Sequence, residues 1–395
     1  MMTWILLFLI FLVAALCQAG VWRRWICGSK QFRIPYVIFK SVLWLGLLSC
    51  IALNAIFDLG NAFMKLNGIL LLVFGTTAMI EAIFLIFGFV QRITGCNRRF
   101  TTLLSIVFSA AAVVFTIYGT TVGRSRLRTE YIEVVSDRLP ASFDGFRIVL
   151  FSDMHTGMMF GRDKMLSKMV SEINDLNPDL AVNCGDIVNF EYTELDETVL
   201  SILAGIKSRN GVVAVIGNHD IAIKRSPKIG HTPGEHADKV ANLQRTIGWR
   251  VLCDTTIFLK RGTDSIAITG LTYPKELYRH SHRKLHGLQN LSEAYGDLSP
   301  AVYNLTLTHA PQSWESVKAA GYGDLTLSGH VHSMQTKLKI GNRSWSPASL
   351  LYREWSGRYE DSGRTLYIND GIGSIFVPMR IGARPEITII ELRKQ

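Results

Sequence analysis

The sequence predicts two parts: an α-helical membrane region over residues 1–128 and an α/β domain over residues 129–395. Three observations carry this reading. Four apolar stretches fill the first part. Strand and helix patterns alternate through the second, and five short polar clusters fall at the ends of its predicted strands.

The apolar stretches, 3–22, 36–57, 68–90 and 101–122, each approach the roughly 20 residues that span a bilayer as a helix. No Lys or Arg precedes the apolar core of the first, so it reads as a retained anchor rather than a cleaved signal. Residues 1–128 hold twelve Lys/Arg against Asp58 and Glu81 alone, which accounts for the whole formal charge of +10. The rest of the chain is neutral, and nothing in it calls for a nucleic-acid partner. Arg23, Arg24, Lys30 and Arg33 follow the first stretch and Arg92, Arg98 and Arg99 the third, whereas Lys65 stands alone after the second. Positive loops stay in the cytoplasm. The reading is therefore a multi-pass protein of the cell (inner) membrane, with the α/β domain extracytoplasmic.

Within the membrane region, Glu81 is an intramembrane acid and so a functional candidate by default, with an inter-helix hydrogen bond as the plainer reading. Lys40 lies near a span end, where it is expected to snorkel. Four of six cysteines belong to this region, so no disulfide framework is implied. Cys184, at the end of an apolar run, reads as a buried thiol.

From residue 129 the pattern changes. Strands are expected at 131–135, 146–151, 180–184 and 212–216, with helices between them marked by Met165, Leu166, Met169, Val170, Ile173 and Leu176, and then by Val199, Leu200, Leu203 and Ile206. The second half favours strands, at 249–253, 256–260, 265–269, 304–308, 325–328, 335–340, 366–369 and 386–392. Residues 221–237, rich in Pro, Gly, Lys and His, show no clear period and read as an excursion over the site mouth.

The polar clusters are Asp153-x-His155, Gly185-Asp186, Gly217-Asn218-His219-Asp220, Thr308-His309 and Gly329-His330-Val331-His332. Loops at the carboxyl ends of strands bring side chains from several strands together. Imidazole, carboxylate and amide oxygen form the mixed N/O donor set that borderline divalent ions favour. A lone histidine at a strand end is usually a surface or capping residue, but five of the ten histidines fall in these clusters.

In this order the clusters resemble the D-x-H, G-D, G-N-H-[DE], H, G-H-x-H pattern of the calcineurin-like metallophosphoesterase superfamily, over about residues 145–395. The apolar spans and the ending Pro378-Met379-Arg380-Ile381-Gly382-Ala383-Arg384-Pro385-Glu386 look like its membrane-anchored bacterial branch. The resemblance implies an α/β/β/α sandwich, two mixed sheets flanked by helices, and a metal-dependent phosphoric ester hydrolase using two divalent ions: manganese, iron or zinc. By the same resemblance Asp153, His155 and His332 hold one ion, Asn218, His309 and His330 the other, and Asp186 bridges them. Water held between two cations loses its proton near neutral pH and serves as nucleophile. His219 lies beside the phosphate as the acid-base group, oriented by a hydrogen bond that the Asp220 carboxylate accepts from it.

Four spans and a tether of about 20 residues keep the domain near its bilayer, so the expected partners are the lipid bilayer and a phosphate ester that is membrane-proximal or lipid-linked. A soluble phosphodiester is the alternative, and a non-catalytic metal-binding scaffold the reading from another class. Two further segments stand out. Tyr278-Arg279-His280-Ser281-His282-Arg283-Lys284 could meet a second phosphate, although a solvated loop explains it as simply, and Leu350-Leu351-Tyr352-Arg353-Glu354-Trp355 could touch lipid or pack in the core. Arg380 and Arg384 could reach the site, and no role is assigned to either.

Overall fold

The structure is a computed structural model that describes residues 2–56, 60–222, 232–274, 291–341 and 343–395, with side chains of the first helix described from Phe11 onward. The chain divides into two compact units: Met1–Thr121 with Phe376–Pro378, and Val122–Ile375 with Met379–Gln395.

The first unit contains the helices Met2–Val21, Lys30–Ile56, Gly60–Thr94 and Arg98–Tyr118. Among the described residues three helical segments, Lys30–Leu53, Gly60–Thr94 and Arg98–Gly123, are long and apolar enough to cross a membrane. Large apolar side chains such as Ile34, Val42, Ile93 and Val114 point outward, the reverse of a water-soluble helix bundle. Inside, Phe11, Trp44 and Phe74 pack together with Leu43 and Leu47, and Trp44 Nε1 donates to Gln18 Oε1 at 2.7 Å. Lys40 does not snorkel. Its Nζ lies 2.7 Å from Glu81 Oε1, which also accepts from Tyr36 Oη at 2.8 Å. Tyr36 and Lys40 are four residues apart and share a helix face, so one buried acid ties two helices together.

The second unit carries fourteen strands among the described residues: β1 (Arg128–Ser136), β2 (Phe146–Phe151), β3 (Leu180–Asn183), β4 (Val212–Ala214), β5 (Arg250–Val251), β6 (Thr255–Arg261), β7 (Asp264–Leu271), β8 (Asn304–Thr308), β9 (Leu325–Ser328), β10 (Leu338–Ile340), β11 (Arg343–Trp345), β12 (Gly357–Asp361), β13 (Arg364–Ile368) and β14 (Glu386–Lys394). They form two six-stranded sheets, β1-β14-β2-β3-β4-β5 and β12-β13-β9-β8-β7-β6, and a separate β10-β11 hairpin. Both large sheets are mixed. In the first, β14 runs antiparallel to β2 while the remaining pairs are parallel; in the second, the outer pairs β12-β13 and β6-β7 are antiparallel.

The layers follow from side-chain alternation. Phe146, Ile148 and Leu150 of β2 face a shared core with Leu180, Val182, Leu305, Leu307, Leu325 and Leu327, so the two sheets pack face to face. Val149 and Phe151, on the opposite face of β2, pack against Leu166, Met169 and Ile173 of the helix Arg162–Asp175 and Val240 of the helix Pro233–Thr246. Beyond the second sheet lie Val317 and Trp314 of the helix Ser313–Ala319. Burial on both faces explains why β2 and β3 read as continuous apolar runs. The result is the α/β/β/α sandwich.

Three departures from the sequence reading have local causes. Of the excursion expected at 221–237, residues 223–231 lie outside the described ones, and the rest overlaps a helix, because Thr232 and Glu235 form a reciprocal capping box and Pro233 opens the helix Pro233–Thr246. The strand expected at 335–340 shortens to 338–340, since Ser333, Met334 and Gln335 have φ of 49°, 43° and 59°. Strands β11 and β12 were not expected, as their exposed sequences lack apolar alternation. The segment 278–284 lies outside the described residues, as do His231, His280, His282 and His286.

Candidate metal centre

Each site residue lies just beyond a strand. Asp153 and His155 follow β2, Asp186 follows β3, and Asn218 and His219 open the short helix Asn218–Ile221 after β4. His309 follows β8, and His330 and His332 follow β9. Because β2, β3 and β4 run parallel, as do β8 and β9, their carboxyl ends gather these loops together. The turns are sharp. Asp153, His155, Asp186, His330 and His332 have φ of 53°, 46°, 54°, 76° and 51°, in the left-handed region that costs about 1–3 kcal/mol for each non-glycine residue. Such strain persists only where surrounding contacts over-determine it. Gly329 is one of those contacts, since a Cβ there would overlap Ser152 Oγ and Asp153 Oδ2.

Two groups of donor atoms result. In one, His332 Nε2 lies 3.0 Å from Asp153 Oδ1 and 3.1 Å from His155 Nε2. In the other, His309 Nε2 lies 3.1 Å from Asn218 Oδ1, 3.1 Å from Asp186 Oδ2 and 3.2 Å from His330 Nδ1. Asp186 Oδ2 is also 3.7 Å from His155 Nε2, so a single oxygen stands between the groups. His155, Asp186 and His219 form a third cluster overlapping the first two. Donor atoms about 2.0–2.2 Å from a common ion lie roughly 3–3.5 Å from one another, which is the spacing found.

The charge balance fits a cation. Burial alone would raise Asp153 and Asp186, but surrounding imidazoles outweigh it and hold both carboxyls well below the usual range, His332 foremost at Asp153 and His309 at Asp186. His309 is pushed the other way, to about 9, as Asp186 and Asp153 overcome its burial. His155 is held low by burial and by His219, and its Nδ1 is buried without a hydrogen-bond partner among the described residues. The outer ring atoms set tautomers. His309 Nδ1 donates to Cys184 O at 2.7 Å, which leaves Nε2, facing Asp186 and Asn218, as the atom that would hold a cation after losing its proton. Arg380 Nη2 can only donate to His332 Nδ1, at 3.2 Å, so the neutral ring carries its proton on Nε2, toward Asp153, and holding a cation at Nε2 would require that proton to pass to Nδ1.

His219 is half-buried at the rim. Its Nδ1 donates to Asn189 O at 2.6 Å, its backbone N–H to Asp186 Oδ1 at 2.8 Å, and its ring centroid is 4.7 Å from that of His155. Asp220 does not make the expected hydrogen bond to it. The Asp220 carboxylate accepts instead from the backbone N–H groups of Asp186 at 2.8 Å, Gly217 at 2.9 Å and Val188 at 3.1 Å. It therefore fastens the Asp186 loop to the turn bearing Asn218. Burial and the Asp186 charge raise its pKa to about 7.

Several residues around the site escaped the sequence reading or, like Arg380, were expected within reach of the site without a role. Glu194, buried, accepts from the backbone N–H groups of Gly157 at 2.7 Å, Asn189 at 2.6 Å and Phe190 at 2.7 Å, joining the loop after His155 to the loop that holds His219. His236, within the excursion expected at 221–237, is fully buried, with Nδ1 donating to Asp220 O and Nε2 accepting from Tyr192 N–H. Arg380 donates to the carbonyls of Gly373, Asp370 and Ala383. Only the Thr232-Glu235 capping signal could have placed His236, and an irregular segment gave no periodicity from which to place Arg380. Arg384 instead donates to the carbonyls of Arg126 and Leu127. Cys184 is buried as expected. Tyr352 and Trp355 pack on a core cluster, whereas Leu350 is 67% exposed.

Carboxylates, imidazoles and an amide thus converge beyond the strands of two stacked mixed sheets, and residues 146–334 match the profile of the calcineurin-like phosphoesterase family. Among its relatives is a transmembrane protein with metallophosphoesterase domain from Danio rerio, 30% identical over 74% of this chain and 63% of its own. Another, the uncharacterized metallophosphoesterase YkuE of Bacillus subtilis, is 28% identical over 66% of this chain and 83% of its own. The chain thus spans less than two thirds of the Danio rerio relative. Among solved structures, phosphopantetheinyl hydrolase from Mycobacterium tuberculosis aligns with a TM-score of 0.35 at 13% identity, over 57% of this chain and 88% of that one.

Proposed function

We propose that the chain is a membrane-anchored, metal-dependent phosphoric ester hydrolase, with residues 1–128 as a multi-pass anchor and residues 129–395 as the catalytic domain. The observation that supports it most is Asp186 Oδ2, 3.1 Å from His309 Nε2 and 3.7 Å from His155 Nε2, an oxygen placed to serve two donor groups at once. Asp153, His155 and His332 would hold one divalent ion, and Asn218, His309 and His330 the other, with Asp186 between them. Two bound ions supply charge neutralisation for the phosphate and an acidified water. This chain's own groups do the rest. Asn189 O fixes the His219 tautomer so that Nε2 is left to exchange a proton with the leaving oxygen, a role worth roughly 10²–10⁴-fold in rate. Asp220, Glu194 and Arg380 hold the loops that aim these side chains.

The apolar helices support a bilayer location, and the name of the Danio rerio relative, a transmembrane protein, agrees. The finer reading is the cell (inner) membrane with the catalytic domain extracytoplasmic, and a substrate that is a phosphate ester at the membrane surface, lipid-linked before soluble. Purified full-length protein with manganese is expected to cleave an aryl phosphodiester. Asp186→Asn and His219→Ala are expected to abolish turnover while the melting profile persists, and full activity in both variants would sink the mechanism.

A further inference from the structure

The β10-β11 hairpin belongs to neither large sheet, and an isolated two-stranded ribbon is marginal in water. Its register pairs Leu338 with Trp345 and Ile340 with Arg343, so Leu338, Ile340 and Trp345 share one face. All are exposed, by 41%, 76% and 46%, with Leu350 at 67% close behind in the chain. Large apolar side chains collected on a projecting ribbon mark an interaction surface. The charge is one-sided as well. Residues 334–353 contain Lys337, Lys339, Arg343 and Arg353 and no acidic residue, and Lys339 and Arg343 have no ion-pair partner among the described residues.

We propose that this hairpin docks into the headgroup region of an anionic bilayer. A ribbon with Trp and aliphatic side chains on one face, and Lys and Arg within the same few residues, matches the apolar-plus-cationic composition of elements that lie in the membrane interface. The bilayer is favoured over a protein partner because the same chain carries helices long and apolar enough to cross one. The hairpin also continues directly from His332, through the turn His332–Gln335, so docking it brings the ligand-bearing loop to the lipid surface. The inference rests on the membrane-anchored reading above and adds the element that presents an amphiphilic ester to the site.

The test is lipid-chain quenching on the full-length protein, reconstituted in phosphatidylglycerol-containing vesicles with doxyl-labelled acyl chains. A fluorophore is placed on Ile340→Cys, or on Phe258→Cys as an exposed control from β6, in a chain whose exposed Cys27 and Cys253 are replaced by serine. Quenching at 340 well above that at 258, weakened when Lys339 and Arg343 are both changed to Glu, is the expected result. Equal quenching at the two positions overturns the proposal, and so does a disulfide between copies at 340 in place of quenching, which would assign the face to a second copy of the chain. Neither readout needs turnover, so failure of the hydrolase reading and failure of the docking reading are told apart. In active protein, Ile340→Asp is expected to raise KM for a long-chain phosphate ester in vesicles about tenfold, with KM for a soluble aryl phosphodiester unchanged.

Discussion

Arg380 Nη2 and His332 Nδ1 lie 3.2 Å apart at the back of the metal centre, 48 residues apart in sequence. Arg380 is fully buried, and three of its other N–H groups go to the carbonyls of Gly373, Asp370 and Ala383 at 2.7, 2.9 and 3.0 Å. Burial depresses its pKa to about 10, still far enough above neutrality that it stays a cation. One side chain therefore braces an irregular loop and sets the ring orientation of a proposed ligand.

Replacing it separates those roles. Arg380→Met orphans three buried carbonyls, for an expected loss of about 3–5 kcal/mol, read as a lowered melting temperature. Arg380→Lys keeps the charge but cannot make four contacts in a fork. It is expected to weaken metal retention by about 10–100-fold in a chelator-competition assay, and an unchanged metal content would remove Arg380 from the site's support.

Asp220 and His219 should behave differently despite being neighbours. Loss of His219 is expected to remove rate and leave metal content near wild type. Asp220→Asn keeps one acceptor oxygen but points an NH₂ at backbone N–H groups, costing about 1–3 kcal/mol, and is expected to lower stability and metal content together. A variant with normal stability and only an altered pH–rate profile would restore the acid-base role for Asp220.

Gly329→Ala forces a Cβ against Ser152 Oγ and Asp153 Oδ2. Expected are properly folded protein, seen by circular dichroism, and loss of most bound metal, because Asp153 must turn away from His332. Gly341, in the β10-β11 turn with open space around it, is the control site for the same change apart from its φ of 60°, which predicts a small stability loss alone.

Asp370 gives a pH signature. Burial would raise its pKa, but the Lys337 charge at 3.0 Å and hydrogen bonds from Ser333 and Ser356 lower it below the ordinary aspartate value. The folded state thus gives up this proton more readily than the unfolded chain. Its contribution is fully present above the unfolded value of about 3.9 and is lost as pH falls through the folded one. The melting-temperature gap between wild type and Asp370→Asn is expected to narrow as pH drops from 7 toward 3, and a gap that stays constant would contradict the assignment.

Much of the centre was legible because its residues obey local rules. Strands β2, β8 and β9 stand where alternating or continuous apolar runs place them, and the turn beyond each one fixes where Asp153, His309 and His330 begin. What could not be read depends on distant partners. Nothing near Arg380 announces His332, and nothing beside Asp220 says that its oxygens are claimed by the amides of Asp186, Val188 and Gly217 rather than by His219. Lys40 was misjudged for the same reason, since Glu81 lies 41 positions away. The helix opening at Pro233 was legible, and its capping pair was passed over among loop-forming residues.

The position of β14 has a bearing on biogenesis. It lies between β1 and β2, parallel to the former from Arg128↔Glu386 to Ser136↔Lys394 and antiparallel to the latter. The strand that follows the last apolar helix thus has no neighbour in its sheet until residues 386–394 have been synthesised, about 250 residues later. Long-range pairing of this kind closes late and slowly. A chain interrupted before residue 386 would leave β1 as an unprotected edge, a target for quality-control proteases.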